Sequence, residues 1–199
     1  MKSTSDSILR RIRAKRRGWV FTPKDFVDIA SRNTIGVALH RLVDKGIVRK
    51  IGHGIYDFPV IHPTLGILSA SPDAIARAVA SRAGDTIQPG GAQLVNQLGF
   101  DTQVSAKPSY ITSGSSRQEK IANYPIKFSH SKFFNNIPLN PNVIKVMNAL
   151  YHIGKNNITE DIIQKSKVIL SQRDKAQLKK ILNQLPDWMI RVVLKLIEK

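Results

Sequence analysis

The 199-residue chain contains no cysteine. That absence excludes a disulfide framework, a zinc–thiolate site and a thiol nucleophile. It fits a reducing cytoplasm, the compartment we expect. No apolar run approaches the ~18 residues of a membrane-spanning helix, so a role inside a membrane is not expected. The opening Met1-Lys2-Ser3-Thr4-Ser5-Asp6 has no apolar stretch behind its lysine and does not read as a secretory signal. Acidic residues are scarce, 14 against 31 Lys and Arg, and none forms an evident catalytic pair. The five histidines, at 40, 53, 62, 130 and 152, show no metal-ligand spacing. The G-x-x-x-x-G-K-[ST], H-E-x-x-H and G-x-S-x-G patterns are all missing. Gly90-Gly91 and Ser113-Gly114-Ser115-Ser116 read as turns rather than phosphate cradles, and the Trp188 stripe reads as core. The sequence thus predicts no catalytic residue, no metal and no cofactor.

Positive charge is what the chain has in excess. The formal net charge is +17 and the isoelectric point is near 10.4. A compact molecule so charged repels itself, and a polyanionic partner relieves the repulsion. Nucleic acid is the leading candidate, with an anionic membrane surface second. The charge is also unevenly placed: residues 1–60 carry +8, residues 61–130 carry +2 and residues 131–199 carry +7.

Along the chain, helical spacing of Ile8, Leu9 and Ile12 predicts a helix from about Ser5 to Lys15, capped by Ser5 or Asp6 and stopped by Gly18. Six of the eight residues from Arg10 to Arg17 are basic. Trp19-Val20-Phe21 reads as a short strand. Thr22-Pro23-Lys24-Asp25 starts a short second helix that ends near Ala30. Ser31 caps a third helix to Gly46, with Ile35, Ala38, Leu39, Leu42 and Val43 inward. Ile47–Ile51 and Ile55–Phe58, joined by Gly52-His53-Gly54, read as a hairpin. Helix, strand, helix, turn, helix, hairpin is the winged helix-turn-helix order, in which the third helix enters a major groove.

A proline-rich stretch, Pro59–Pro72, places the domain boundary at 62/63. Beyond it we expect a helix at about Asp73–Ala83 capped by Ser71, a helix at Gly91–Leu98, and strands at Pro108–Thr112 and Ile126–Ser129. A second proline cluster, Pro138-Leu139-Asn140-Pro141, precedes three or four helices, two of them capped by Thr159 and Ser171. The expected class is α+β and mainly helical. It has a winged helix over 1–62 and a second domain over 63–199, whose part 63–137 is a small α/β region and whose part 138–199 is helical.

At 100° per residue, the third helix turns Asn33, Thr34, Val37, His40 and Arg41 away from its apolar face. Those types fit base edges: Asn33 to adenine, Val37 to a thymine methyl, Arg41 to guanine or a phosphate. Arg10, Arg11, Arg13, Lys15, Arg16, Arg17, Arg32, Lys45, Arg49 and Lys50 are candidate phosphate contacts, and His53 stands at the wing tip. The plain reading of such a face is a solvated surface; the flanking helix and hairpin order favours the groove.

These residues resemble the AbiEi-type antitoxins, the transcription-regulating half of type IV (abortive infection) toxin–antitoxin pairs. The resemblance rests on Gly18-Trp19-Val20-Phe21-Thr22-Pro23-Lys24-Asp25-Phe26, Ala38-Leu39-His40-Arg41-Leu42, and Gly46-Ile47-Val48-Arg49 leading to Gly54-Ile55-Tyr56. More specific are Gly91-Ala92-Gln93-Leu94-Val95-Asn96-Gln97-Leu98-Gly99-Phe100, Thr102-Gln103-Val104 and Tyr110-Ile111-Thr112-Ser113-Gly114. Asp174-Lys175-Ala176 and Leu185-Pro186-Asp187-Trp188 complete it. Ala30, where the family has glycine, and His40, where serine is usual, depart from the pattern. The lysines beyond Asn140 follow the family less closely.

The resemblance implies a non-enzymatic autorepressor that binds inverted repeats of double-stranded promoter DNA. Its second domain would act as the antitoxin against a nucleotidyltransferase-like toxin without forming a stable complex with it. The alternatives are a basic RNA-binding or ribosome-associated protein, and a nucleic-acid enzyme. A pocket gathering three titratable side chains would favour the last.

Overall fold

The structure, a computed structural model, describes residues 3–102, 108–131 and 139–198. Gln103 and Val104 of the family resemblance and Pro138 of the second proline cluster lie outside the described residues. The chain is mixed α+β and divides into two compact units, residues 1–86 with 118–126, and residues 87–117 with 127–199. Among the described residues no helix is long and apolar enough to cross a membrane.

The first unit begins with α1, Thr4–Ala14. Ser3, not Ser5 or Asp6, is the cap: its hydroxyl accepts from the Asp6 backbone N–H at 3.2 Å, and the Asp6 carboxylate reaches back to Ser3. That bonding holds the Asp6 carboxyl below its usual range. The helix stops before Gly18, because Arg16 turns into the left-handed region at φ +66°. After β1, Val20–Phe21, Pro23–Phe26 form a single 3₁₀ turn instead of the expected second helix. The Asp25 carbonyl, which the Ile29 N–H would use in an α-helix, accepts here from the Arg11 guanidinium at 2.7 Å. Ile29 donates to Phe26 instead, at 2.8 Å.

Ser31 caps α2, Arg32–Asp44, as the sequence predicts. Strands β2, Arg49–Gly52, and β3, Ile55–Asp57, join β1 in an antiparallel sheet of order β1-β3-β2. Ile8, Ile12, Phe21, Phe26, Ile35, Leu39, Val48 and Phe58 form the core of this region. Burying a side chain such as Phe21 or Phe26 contributes about 2–3 kcal/mol, and the two rings meet edge to face at 5.6 Å.

The expected boundary at 62/63 falls inside this unit. Two strands that the sequence pattern did not reveal, β4 (Ile61–His62) and β5 (Gly66–Ile67), pair within the proline-rich stretch. Helix α3, Pro72–Ala83, then contacts β1. Ser71 caps it, with Pro72 in the first turn.

In the second unit, β6 (Ile87–Pro89) pairs antiparallel with β7 (Ser109–Thr112), which runs parallel to residues 127–130 of β9 (Tyr124–His130). Strand β8, Arg117–Ile121, falls in the first unit from residue 118 onward. Helix α4, Gly91–Gln97, packs on α5, Pro141–Ile153. Three further helices follow: α6, Glu160–Ile169; α7, Gln172–Ile181; and α8, Asp187–Ile197. Thr159 and Ser171 cap the first two of these as expected. Leu94, Val143, Met147, Leu150, Leu178, Met189, Val193 and Leu196 close their common core.

Candidate nucleic-acid interface

Helix α2 presents two unlike faces. Ile35, Ala38, Leu39 and Leu42 are buried, and Asn33, Thr34, Val37, His40 and Arg41 are all exposed. The rotation read from helical period therefore holds for each of the five. Thr34, Val37, Arg41 and Lys45 line one groove of about 450 Å3 with Ser3, Thr4 and Asp6 at the start of α1. Asn33 and His40 do not line it. The His40 ring meets the Asp44 carboxylate at 2.8 Å, one turn along the exposed face, and the Thr34 hydroxyl meets that of Ser31 at 2.9 Å.

Gly36, which sequence patterning passes over, lies among them. A Cβ placed there would meet no atom within 4 Å. Glycine in a helix interior is destabilising by roughly 0.5–1 kcal/mol relative to alanine, and no neighbour in the chain requires its small size.

The basic residues fall into two groups. Arg10, Arg13, Lys15, Arg16, Arg32, Lys45, Lys50 and His53 are exposed. Three arginines named as phosphate contacts are instead engaged within the fold. Arg11 grips both oxygens of Asp28 at 2.6 Å. Hydrogen bonding to that guanidinium holds the Asp28 carboxyl below its usual 3.8 and raises Arg11 in turn. Arg17 donates to the Pro59 carbonyl at 2.8 Å and lies over the Phe58 ring. Arg49 pairs with Asp57, its cross-strand neighbour, through two nitrogens, and reaches the Leu68 carbonyl at 2.8 Å. Asp57 is buried, so this fork is its counter-charge. The geometry of a guanidinium, five donors in a plane, suits such chelation.

The β2–β3 turn is braced from outside. Arg82 of α3 donates to the His53 carbonyl at 2.7 Å and to Glu119 of β8 at 2.7 Å. Sequence reasoning missed Arg82, because the three partners are separated by 29 and 37 positions.

The second unit holds a separate cavity of about 390 Å3, lined by residues of β7, β9, α4 and α5. Lys127, His130 and His152 stand on its wall, so it meets the three-titratable-group criterion set out above. Among the described residues no group of three His, Cys, Asp or Glu side chains is placed to hold a metal.

An α+β chain with an outward helix face in one unit and a cavity in the other is a class defined by shape, not by reaction. The chain belongs to a family of unknown function (DUF6088), which matches residues 7–178. A comparison with curated proteins finds no match.

Proposed function

We propose that residues 1–62 form a winged helix-turn-helix that binds double-stranded DNA, with α2 as the groove helix and the β2–β3 hairpin as the wing. In this reading the chain represses its own promoter at inverted repeats. Its remaining residues act as a cytoplasmic antitoxin against a nucleotidyltransferase-like toxin, without a stable complex, in the manner of the AbiEi-type antitoxins it resembles. The observation that carries the reading is the outward exposure of Asn33, Thr34, Val37, His40 and Arg41 on one helix, beside exposed basic side chains at Arg10, Arg13, Lys15, Arg16 and Arg32.

Three features support it further. The side chains that face outward are of the types that read major-groove edges. The bare backbone at Gly36 permits close approach of a groove wall. Arg11, Arg17 and Arg49, held internally, fix α1 and the hairpin relative to the rest of this region, so that phosphate contacts on α1 and Lys50 have a set spacing.

The test is a footprint of the full chain on its own upstream region with salt varied. A protected pair of inverted repeats is expected. With roughly 6–10 phosphates contacted, affinity falls about 10³–10⁵-fold between 50 and 200 mM salt. Sequence-independent binding without a footprint, or preference for structured RNA over the duplex, would overturn the proposal.

A further inference from the structure

The cavity of the second unit has no part in the duplex reading. Its lining sets a lysine, two histidines and serine hydroxyls within largely apolar surface. Lys127 and His152 are exposed, with no carboxylate partner among the described residues, and the Ser109 and Ser129 hydroxyls can donate. No Asp or Glu lines it among the described residues. A wall with a lysine and several donors but no acid favours an anion.

Two buried or fixed groups sharpen this. Asn148 projects from α5 and is only 6% exposed. Its Oδ1 accepts from the Ser131 hydroxyl at 2.6 Å, and its Nδ2 is fully buried, so Asn148 is held in place where it lines the cavity. His130 is likewise prepared. Its Nδ1 lies 2.8 Å from the Gly114 carbonyl, which can only accept, so Nδ1 carries the proton and the ring is held in one orientation.

The glycine pair at the cavity edge has a matching reason. A Cβ on Gly91 would lie 2.2 Å from the His152 ring, and one on Gly90 would lie 2.5 Å from the Ser109 carbonyl oxygen. Any larger residue at 91 would push His152 out of place. Tyr151, 47% exposed, adds aromatic surface to the same wall, and the volume is in the range of small-molecule sites, about 300–1,000 Å3.

We infer that this cavity binds a small phosphate-bearing molecule with a planar ring, of the mononucleotide kind. Lys127, His130 and His152 face the phosphate, and the ring lies along Tyr151. The inference goes beyond the proposed function and is tested with no DNA present, so either can fail without the other.

The experiment is calorimetric titration of the full chain with AMP and UMP, with inorganic phosphate and adenosine as the separated halves. At least one mononucleotide is expected to bind more tightly than either half. Asn148→Asp keeps the acceptor for Ser131 and puts a negative charge on the wall, and Lys127→Ala removes an exposed cation without touching the core. Each should weaken binding about tenfold or more, the effect of losing a charge-assisted hydrogen bond. Should Asn148→Asp fail to fold, Lys127→Ala carries the test alone. No heat or saturation with either mononucleotide at millimolar concentration would overturn the inference. So would binding that Lys127→Ala leaves unchanged, or adenosine binding as tightly as AMP.

Discussion

The two basic ends of the chain carry nearly the same charge, +8 over residues 1–60 and +7 over residues 131–199, by different chemistry. The first has eight arginines and five lysines; the last has two arginines and ten lysines. In the first, guanidiniums chelate: Arg11 on Asp28, Arg49 on Asp57, Arg17 on a carbonyl. In the last, the pairs are single and exposed, Lys165 with Asp161 at 2.8 Å and Lys195 with Glu160 at 3.7 Å. Pairs of that kind contribute about 0–1 kcal/mol. Equal charge therefore does not mean equal function. Arginine supplies both internal bracing and a planar fork for phosphate oxygens, whereas scattered lysine supplies a solvated, repulsive surface.

Exchanging the ends in mutants tests that contrast most directly. Alanine at Arg10, Arg13, Lys15 and Arg16 together should reduce the slope of log affinity against log salt by roughly 3–4, at about 0.9 per phosphate contact. Alanine at Lys155, Lys179, Lys180 and Lys195 should change it by less than about 1. Equal changes in fluorescence-anisotropy titrations would erase the distinction. Next in size is Arg49→Ala, which leaves the buried Asp57 carboxylate without its partner and should cost about 3 kcal/mol in urea unfolding. Arg49→Lys should recover only part of the loss, since an ammonium restores the charge but not the fork.

Arg41→Ala should weaken binding to the promoter repeats more than to random duplex by about 1–3 kcal/mol, the size of a base contact. Equal losses on the two DNAs would assign Arg41 to a phosphate. The smallest effect concerns acid. The folded Asp28 carboxyl lies below its usual 3.8, so its pairing with Arg11 stabilises the fold above that pH and is lost as pH falls through the lowered value. Asp28→Asn should remove that part of the acid-unfolding curve, and added salt should shrink it. Coinciding curves for the two proteins would mean that the pair makes no net contribution.

What the sequence revealed was whatever local chemistry decides. Ser71, Thr159 and Ser171 mark helix starts because a hydroxyl can cap only a nearby N–H, and the two faces of α2 follow from its period alone. Thr22-Pro23 also announced a helix start, but nothing local could say that the segment would close as a 3₁₀ turn, or that Arg11, fourteen positions before Asp25, would bond the Asp25 carbonyl. Strands β4, β5, β6 and β8 escaped notice for a related reason. They are two to five residues long, and partners distant in sequence, not an alternating pattern, define β6. The cavity was the least legible feature. Its wall is drawn from residues 90–91, 109–111, 127–131 and 148–152, and the one local sign was a lone asparagine, Asn148, in the apolar run of α5.

Arg16 remains in a backbone conformation that glycine adopts freely. Left-handed geometry costs an ordinary residue about 1 kcal/mol, and its side chain is exposed at the end of the helix. A screen that rewards only survival of heating should soon replace it with glycine, and one that also demands promoter occupancy should keep the arginine. Heat tolerance and duplex grip would then pull this single position in opposite directions.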